Sequence, residues 1–157
     1  MEDVQKQHID FIKEVINNLL NYIGIKYSLE VHESGEGFGF IIRTDDSSLL
    51  IGESGKNLLA LNYLVKRITE RKFDKDIHFL IDVNDYHKKH IDEIKDIARM
   101  HAQRVRYFKK EIEMPAMNAY ERRIVHSILQ EYPDIKTEST GIGLDRRVVI
   151  KPFNIGA

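Results

Sequence analysis

The sequence predicts an α+β protein made of two small mixed units, ordered α-β-β-α-α-β over residues 1–84 and α-β-α-β-β over residues 85–157. Three observations carry this prediction. Apolar residues recur at spacings of three and four in long stretches at about 2–23, 56–71 and 86–108. They alternate at a spacing of two in the short runs between those stretches. The length of 157 residues fits one domain or two small ones, and no internal repeat, low-complexity tract or long linker interrupts it.

The elements follow in order. Val4, Phe11, Ile12, Val15, Leu19, Leu20 and Ile23 form the apolar face of a first helix, which Gly24 ends. Ile25, Tyr27, Leu29 and Val31 predict one strand, and Phe38, Phe40 and Ile42 predict the next. Ser34-Gly35-Glu36-Gly37 connects them as a hairpin. Asp45, Asp46 and Ser47 open a short helical turn to Ile51. After Gly52-Glu53-Ser54-Gly55, a helix to about Arg71 presents Leu58, Leu61, Val65 and Ile68 on one face. Ile77, Phe79, Ile81 and Val83 make a third strand.

Asn84 or Asp85 is the expected cap of the long helix at 86–108, with Ile91, Ile94, Ala98, Ala102, Val105 and Phe108 facing inward. This helix is expected to join the two halves. Glu111–Met114 predicts a short strand that Pro115 keeps out of a sheet centre. Asn118 and Glu121 are spaced as a capping box for a helix running to about Tyr132, where Pro133 stops it. Ile135–Thr140 and Arg146–Lys151 are the last two strands, joined by Gly141-Ile142-Gly143-Leu144-Asp145.

Composition narrows the chemistry. With no Cys, the chain has no disulfide, zinc-thiolate site, iron–sulfur cluster or thiol nucleophile. No apolar run reaches the roughly 18–20 residues of a membrane span. Met1-Glu2-Asp3 does not read as the start of a signal peptide, so a cytoplasmic protein is expected. The net charge of −1 at first argues against a polyanionic partner. Split at residue 84, it becomes 10 Lys/Arg against 14 Asp/Glu in the first part and 14 against 11 in the second, or −4 and +3. Arg99, Arg104, Arg106, Lys109, Lys110, Arg122 and Arg123 cluster within 99–123 against Glu111, Glu113 and Glu121, a run that also fits an ordinary solvated helix face. Local fields of this kind, more than total charge, decide polyanion binding.

Two short motifs carry candidate chemistry. Gly52-Glu53-Ser54-Gly55 lets the backbone turn sharply and leaves no side chain at the glycines to obstruct a sugar-phosphate chain. The helix that follows is expected to point the amides of Gly55, Lys56 and Asn57 at an anion, with Lys56 adding charge. The spacing alone also fits an ordinary helix corner. The sequence Leu49-Leu50-Ile51-Gly52-Glu53-Ser54-Gly55-Lys56-Asn57-Leu58, at the α-α junction of an α-β-β-α-α-β unit, resembles a KH domain in the type II order over about residues 1–84. That resemblance implies a loop of Gly52, Glu53, Ser54 and Gly55 that clamps the backbone of single-stranded nucleotides, flanked by Ile51 and Leu58, with an apolar groove for the bases. The family often has a basic residue within this loop, whereas this sequence has Glu53, whose carboxylate repels phosphate.

In the second half, Arg122 and His126 lie four apart and so neighbour each other on one helix face, with Arg123 farther round. Arg can fork two hydrogen bonds onto a phosphate, and His can donate to phosphate or stack on a base. The bare pair also fits a surface Arg beside a partly buried His. Its context is Met114-Pro115-Ala116-Met117-Asn118-Ala119-Tyr120-Glu121-Arg122-Arg123-Ile124-Val125-His126, then Thr137–Gly141 and Arg146–Ile150. This context resembles the R-3-H domain, a single-stranded nucleic-acid-binding family named for its Arg and His, over about residues 88–152. The resemblance places Arg122 and His126 at the signature positions, with Arg146, Arg147 and Lys151 as secondary candidates on the final strand.

KH followed by R-3-H is the arrangement of the bacterial Jag (SpoIIIJ-associated) family. Many members begin with an additional N-terminal Jag domain, which this sequence is expected to lack. The resemblance implies a non-enzymatic post-transcriptional regulator that binds single-stranded RNA, or single-stranded DNA, in control of the bacterial cell envelope or division. It brings in a second small KH protein as a further partner and leaves a homodimer open. No cofactor, metal or membrane insertion is expected. His87 and His90 sit three apart but have no third ligand clearly placed, and Ser54 has no His/Asp partners. Two rivals remain: a protein-interaction adaptor, favoured by the acidic first half and Glu53, and a nuclease using His126, which has no evident partner carboxylate.

Overall fold

The structure is a computed structural model that describes residues 2–35 and 37–154. The chain divides into two compact units, Met1–His87 and Lys88–Ala157. The α+β class and both element orders are as predicted.

In the first unit, helix α1 (Glu2–Ile23) buries Ile12, Val15, Ile16 and Leu20, which are spaced by three, one and four along one stripe. Strand β1 (Ser28–Ser34) runs antiparallel to β2 (Gly37–Arg43), and β3 (Phe79–Val83) adds parallel to β2, in the order β1-β2-β3. Residue Glu36 of the expected hairpin connection lies outside the described residues. Strand β1 starts three residues later than the alternation at Ile25 suggested. Ser28 already pairs with Arg43, the last residue of β2, so residues 25–27 have no strand opposite them. Ile25 and Tyr27 still pack on the core, and the Tyr27 hydroxyl donates to Asn17 Oδ1 at 2.6 Å. Ile77, read as strand, is likewise buried just ahead of β3.

Helices α2 (Ser47–Ile51) and α3 (Lys56–Phe73) cover the sheet. Leu50, Leu58 and Val65 meet Phe40, Ile42, Ile81 and Val83 in the core. Thr69 is buried there because its hydroxyl donates to the Val65 carbonyl one turn back, at 2.8 Å. The Asn62 side chain of α3 accepts from the Ile81 amide and donates to the Ile81 carbonyl, each at 2.8 Å.

Helix α4 (Tyr86–Phe108) begins in the first unit, and its body packs the second. Its start differs from the expected capping. Asp82, not Asn84, accepts the amide of His87 at 3.3 Å. Asn84 instead exchanges two hydrogen bonds with the backbone of Thr44, of 3.1 and 2.8 Å. The Asp85 carboxylate takes Arg43 at 2.6 Å. Ile94, Ala98, Ala102 and Val105 are buried as predicted. Phe108 is not: it ends the helix, Lys109 turns the chain with φ 55°, and the ring stands exposed against Tyr107.

The second sheet has the order β4-β6-β5, with β6 (Arg147–Pro152) antiparallel to β4 (Ile112–Glu113) on one side and to β5 (Ile135–Thr140) on the other. Helix α5 (Ala119–Leu129) opens on a complete capping box: Asn118 Oδ1 accepts from the Glu121 amide, and Glu121 Oε2 accepts from the Asn118 amide. It ends three residues short of Tyr132. The backbone ahead of Pro133 is biased away from helix, and the chain tightens instead through a Tyr132 amide to Leu129 carbonyl bond of 3.1 Å. Val125 and Leu129 of α5 pack with Met114, Val148 and Ile150 on the buried side of α4. No helix among the described residues is long and apolar enough to cross a membrane.

Candidate nucleic-acid interface

The glycine turn has the backbone that its sequence requires. Gly52 (φ 71°), Ser54 (φ 53°) and Gly55 (φ 78°) all lie in the left-handed region. A Cβ on Gly55 would sit 3.1 Å from the Tyr86 ring, so only glycine leaves this corner unstrained. The expected row of open amides is absent at two of its three positions. The Gly55 amide donates to the Gly52 carbonyl at 3.3 Å, and the Lys56 amide donates to the Glu53 carbonyl, closing a 3-10 turn on itself. Lys56 Nζ stands 3.9 Å from the Glu53 carboxylate, and both side chains are well exposed. The nearest cation to the loop is therefore shared with a carboxylate. Two concave surfaces of this unit meet at Lys26, Tyr27 and Ser28, and neither is lined by residues 52–56.

The Arg–His pair of α5 is built differently. His126 is half-buried and points at β5. Its Nδ1 lies 2.6 Å from Thr137 Oγ1, and its Nε2 lies 2.9 Å from Ser139 Oγ. Burial, then the nearby Arg122 charge, hold the imidazole below its ordinary pKa. In the neutral ring one nitrogen donates and the other accepts, and the two hydroxyls can serve either role. His126 thus anchors α5 to β5, and both of its ring nitrogens are engaged within the fold, where the sequence suggested donation to phosphate or stacking on a base. Thr137 and Ser139 belong to the motif context but are not among the candidate site residues of the sequence, although their spacing of two places them on one face of a strand.

Arg122 is fixed at one nitrogen only. Its Nη1 donates to the Met117 carbonyl at 2.8 Å, and the Met117 amide donates to the Arg146 carbonyl at 3.0 Å. Two hydrogen bonds therefore tie Arg122 to the start of β6. Neither Arg122, Arg123 nor Arg146 has a carboxylate partner among the described residues, and Arg123 and Arg146 are exposed. Three other basic side chains of this unit are paired. Arg147 reaches Glu113 at 3.6 Å and the Asp145 carbonyl at 3.2 Å. Lys151 sits 2.8 Å from Glu138, which is held below the usual carboxylate pKa by Lys151 and Lys136. Arg106 is bound to Asp134 at 2.7 Å.

His90 meets Glu121 at 2.8 Å, and His87 lies 4.0 Å from Asp82. Among the described residues, no group of three or more His, Asp or Glu side chains is arranged to hold a metal.

A model of the R-3-H domain family matches residues 92–152, the segment that holds α5, β5 and β6. The RNA-binding protein KhpB of Bacillus subtilis (strain 168) is 30% identical over 140 residues, covering 88% of this chain and 67% of that protein. The chain belongs to the KhpB (Jag) family. Its KhpB relative from Clostridium symbiosum is 28% identical over 149 residues, covering 95% of this chain and 66% of its own length. The Lactiplantibacillus plantarum KhpB is 25% identical, and the match covers 42% of it. The chain therefore spans about two thirds of the first two KhpB proteins and less than half of the third.

Proposed function

We propose that this protein is a non-enzymatic regulator that binds single-stranded RNA through its second unit and acts after transcription in the bacterial cytoplasm. In this reading residues 1–84 are a KH domain and residues 85–157 an R-3-H domain. The observation that carries it is the cluster at the start of α5 and β6. Arg122 is held by one nitrogen, with its other donors open, next to Arg146, and neither has a counter-ion among the described residues. Such a fork suits a phosphate. The relatives' name, RNA-binding protein, supports the choice of ligand. His126 acts here as a positioning residue, since its hydroxyl partners fix the helix that carries Arg122. Control of the cell envelope or division is the cellular setting that fits the family.

The test is fluorescence anisotropy with a single-stranded oligoribonucleotide, its DNA counterpart and a duplex RNA, at several salt concentrations. Tightest binding to the single-stranded RNA, weakening steeply with salt, is expected. Equal or absent binding to all three ends this reading.

A second reading concerns the first unit alone. With two of its loop amides closed and Glu53 beside Lys56, it suits protein contacts better than phosphate, and it would then act as an adaptor that localises the RNA-binding half. Crosslinking in cells that maps RNA to peptides of the second unit and to none of the first is the expected result.

A further inference from the structure

The turn between β5 and β6 carries a feature that the Arg–His signature does not explain. Ile142 is 91% exposed and Leu144 98% exposed, nearly full exposure for large aliphatic side chains. They do not ride on a loose loop. The Asp145 amide donates to the Ile142 carbonyl and the Arg146 amide to the Gly143 carbonyl, both at 3.3 Å. Gly141 takes φ 92°, and a Cβ there would come within 2.9 Å of the Asp145 carbonyl, so the turn is drawn tight at its base. The Arg147 guanidinium grips the Asp145 carbonyl from the strand side. The result is a short 3-10 knuckle, Gly143–Asp145, that holds two aliphatic groups out in water.

Isolated exposed apolar residues are common, but here the fold holds two of them out on one braced turn, where they are available for contact. The neighbours say what kind of contact. Arg146 follows the knuckle directly, its carbonyl receives the Met117 amide, and the Met117 carbonyl receives Arg122. The knuckle is thus continuous with two cations that have no carboxylate partner among the described residues. One carboxylate, Asp145, lies on the turn itself. Apolar tips beside unpaired guanidinium groups complement a chain that offers flat apolar faces and anionic links at short intervals, and a single-stranded nucleic acid is such a chain.

We propose that Ile142 and Leu144 form a base-contacting knuckle of the RNA site, packing against unstacked base faces while Arg146 and Arg122 hold the adjoining phosphates. This inference rests on the second unit being the RNA-binding half. It adds the element that reads bases and not only backbone. Non-polar contact adds affinity without releasing counter-ions, so the knuckle contributes a part of the binding that salt does not weaken.

The test pairs two changes. Ile142→Ser with Leu144→Ser alters only exposed side chains, and an abasic oligoribonucleotide removes bases while keeping the backbone charge. With an ordinary single strand, the double variant is expected to bind about five-fold more weakly than the parent, at an unchanged slope of log affinity against log salt. With the abasic strand, parent and variant are expected to bind alike. If the variant loses nothing on the ordinary strand while Arg122→Ala with Arg146→Ala does, the knuckle assignment fails and the RNA-binding reading stands. If neither pair of substitutions changes binding, the reading fails with it. If the Ser variant binds RNA normally but loses a dimer seen by sedimentation, the knuckle meets a second copy of the chain and the assignment is overturned.

Discussion

The two motif regions differ in what their folded backbones leave open. The glycine turn closes two of its amides, those of Gly55 and Lys56, on its own carbonyls, and Glu53 stands against Lys56. The α5 start does the reverse. It takes up both nitrogens of His126 and one of Arg122, and leaves the rest of that guanidinium and all of Arg146 without a counter-ion among the described residues. Both stretches match a short nucleic-acid motif by spacing, yet only one presents guanidinium groups with no carboxylate partner among the described residues. Capacity for phosphate is decided by the donors that remain after folding, and residue spacing does not report them.

The largest test of that contrast is Arg122→Ala with Arg146→Ala. Affinity for single-stranded RNA is expected to fall about tenfold or more, with a salt slope shallower by about 2. The counterpart in the first unit is Gly55→Ala, which forces an L side chain to φ 78° and against Tyr86. Urea unfolding should show a loss of about 1–2 kcal/mol, while RNA affinity at fixed folded protein stays unchanged. A large affinity loss there would place the glycine turn in the interface and erase the contrast. A smaller effect sharpens it from the other direction. Glu53→Lys removes the loop's carboxylate and is expected to raise affinity about threefold at low salt.

The smallest effect is in pH. His126 and His101 are both held below their ordinary pKa, first by burial and then by Arg122 and Arg104 respectively. A base whose folded pKa is lowered binds fewer protons folded than unfolded. Its contribution is complete above the unfolded pKa of about 6.5 and is lost as pH falls through the folded value. Thermal unfolding of the full chain should therefore drop by about 2 °C between pH 7 and pH 5.5, with a shallower decline in His126→Gln.

Element type and order were legible in the sequence because each unit repeats a clear period. The Asn118–Glu121 capping box was legible to the residue, since its bonds are local. What escaped depended on partners distant in sequence. Strand β1 could not be started correctly without knowing that β2 ends at Arg43. Asn84 reads as a helix cap until Thr44, forty residues earlier, takes its side chain. The Arg–His pair was found by spacing, but its division of labour was not. Whether a histidine faces phosphate or anchors a helix depends on Thr137 and Ser139 arriving from another strand. The inward amides of the glycine turn were missed for a different reason: a 3-10 closure and an open N-terminus share one sequence.

Asn62 has a consequence for how copies of this protein meet. Strand β3 ends its sheet, and an end strand offers backbone groups to any passing strand. The Asn62 amide occupies both groups of Ile81, at the middle of β3, as a neighbouring strand would. One side chain from a covering helix thus supplies the missing rung and denies it to outsiders. Sheet-to-sheet growth into fibres is blocked at that point at little cost in sequence, and Asn62→Leu should aggregate on heating before it measurably unfolds.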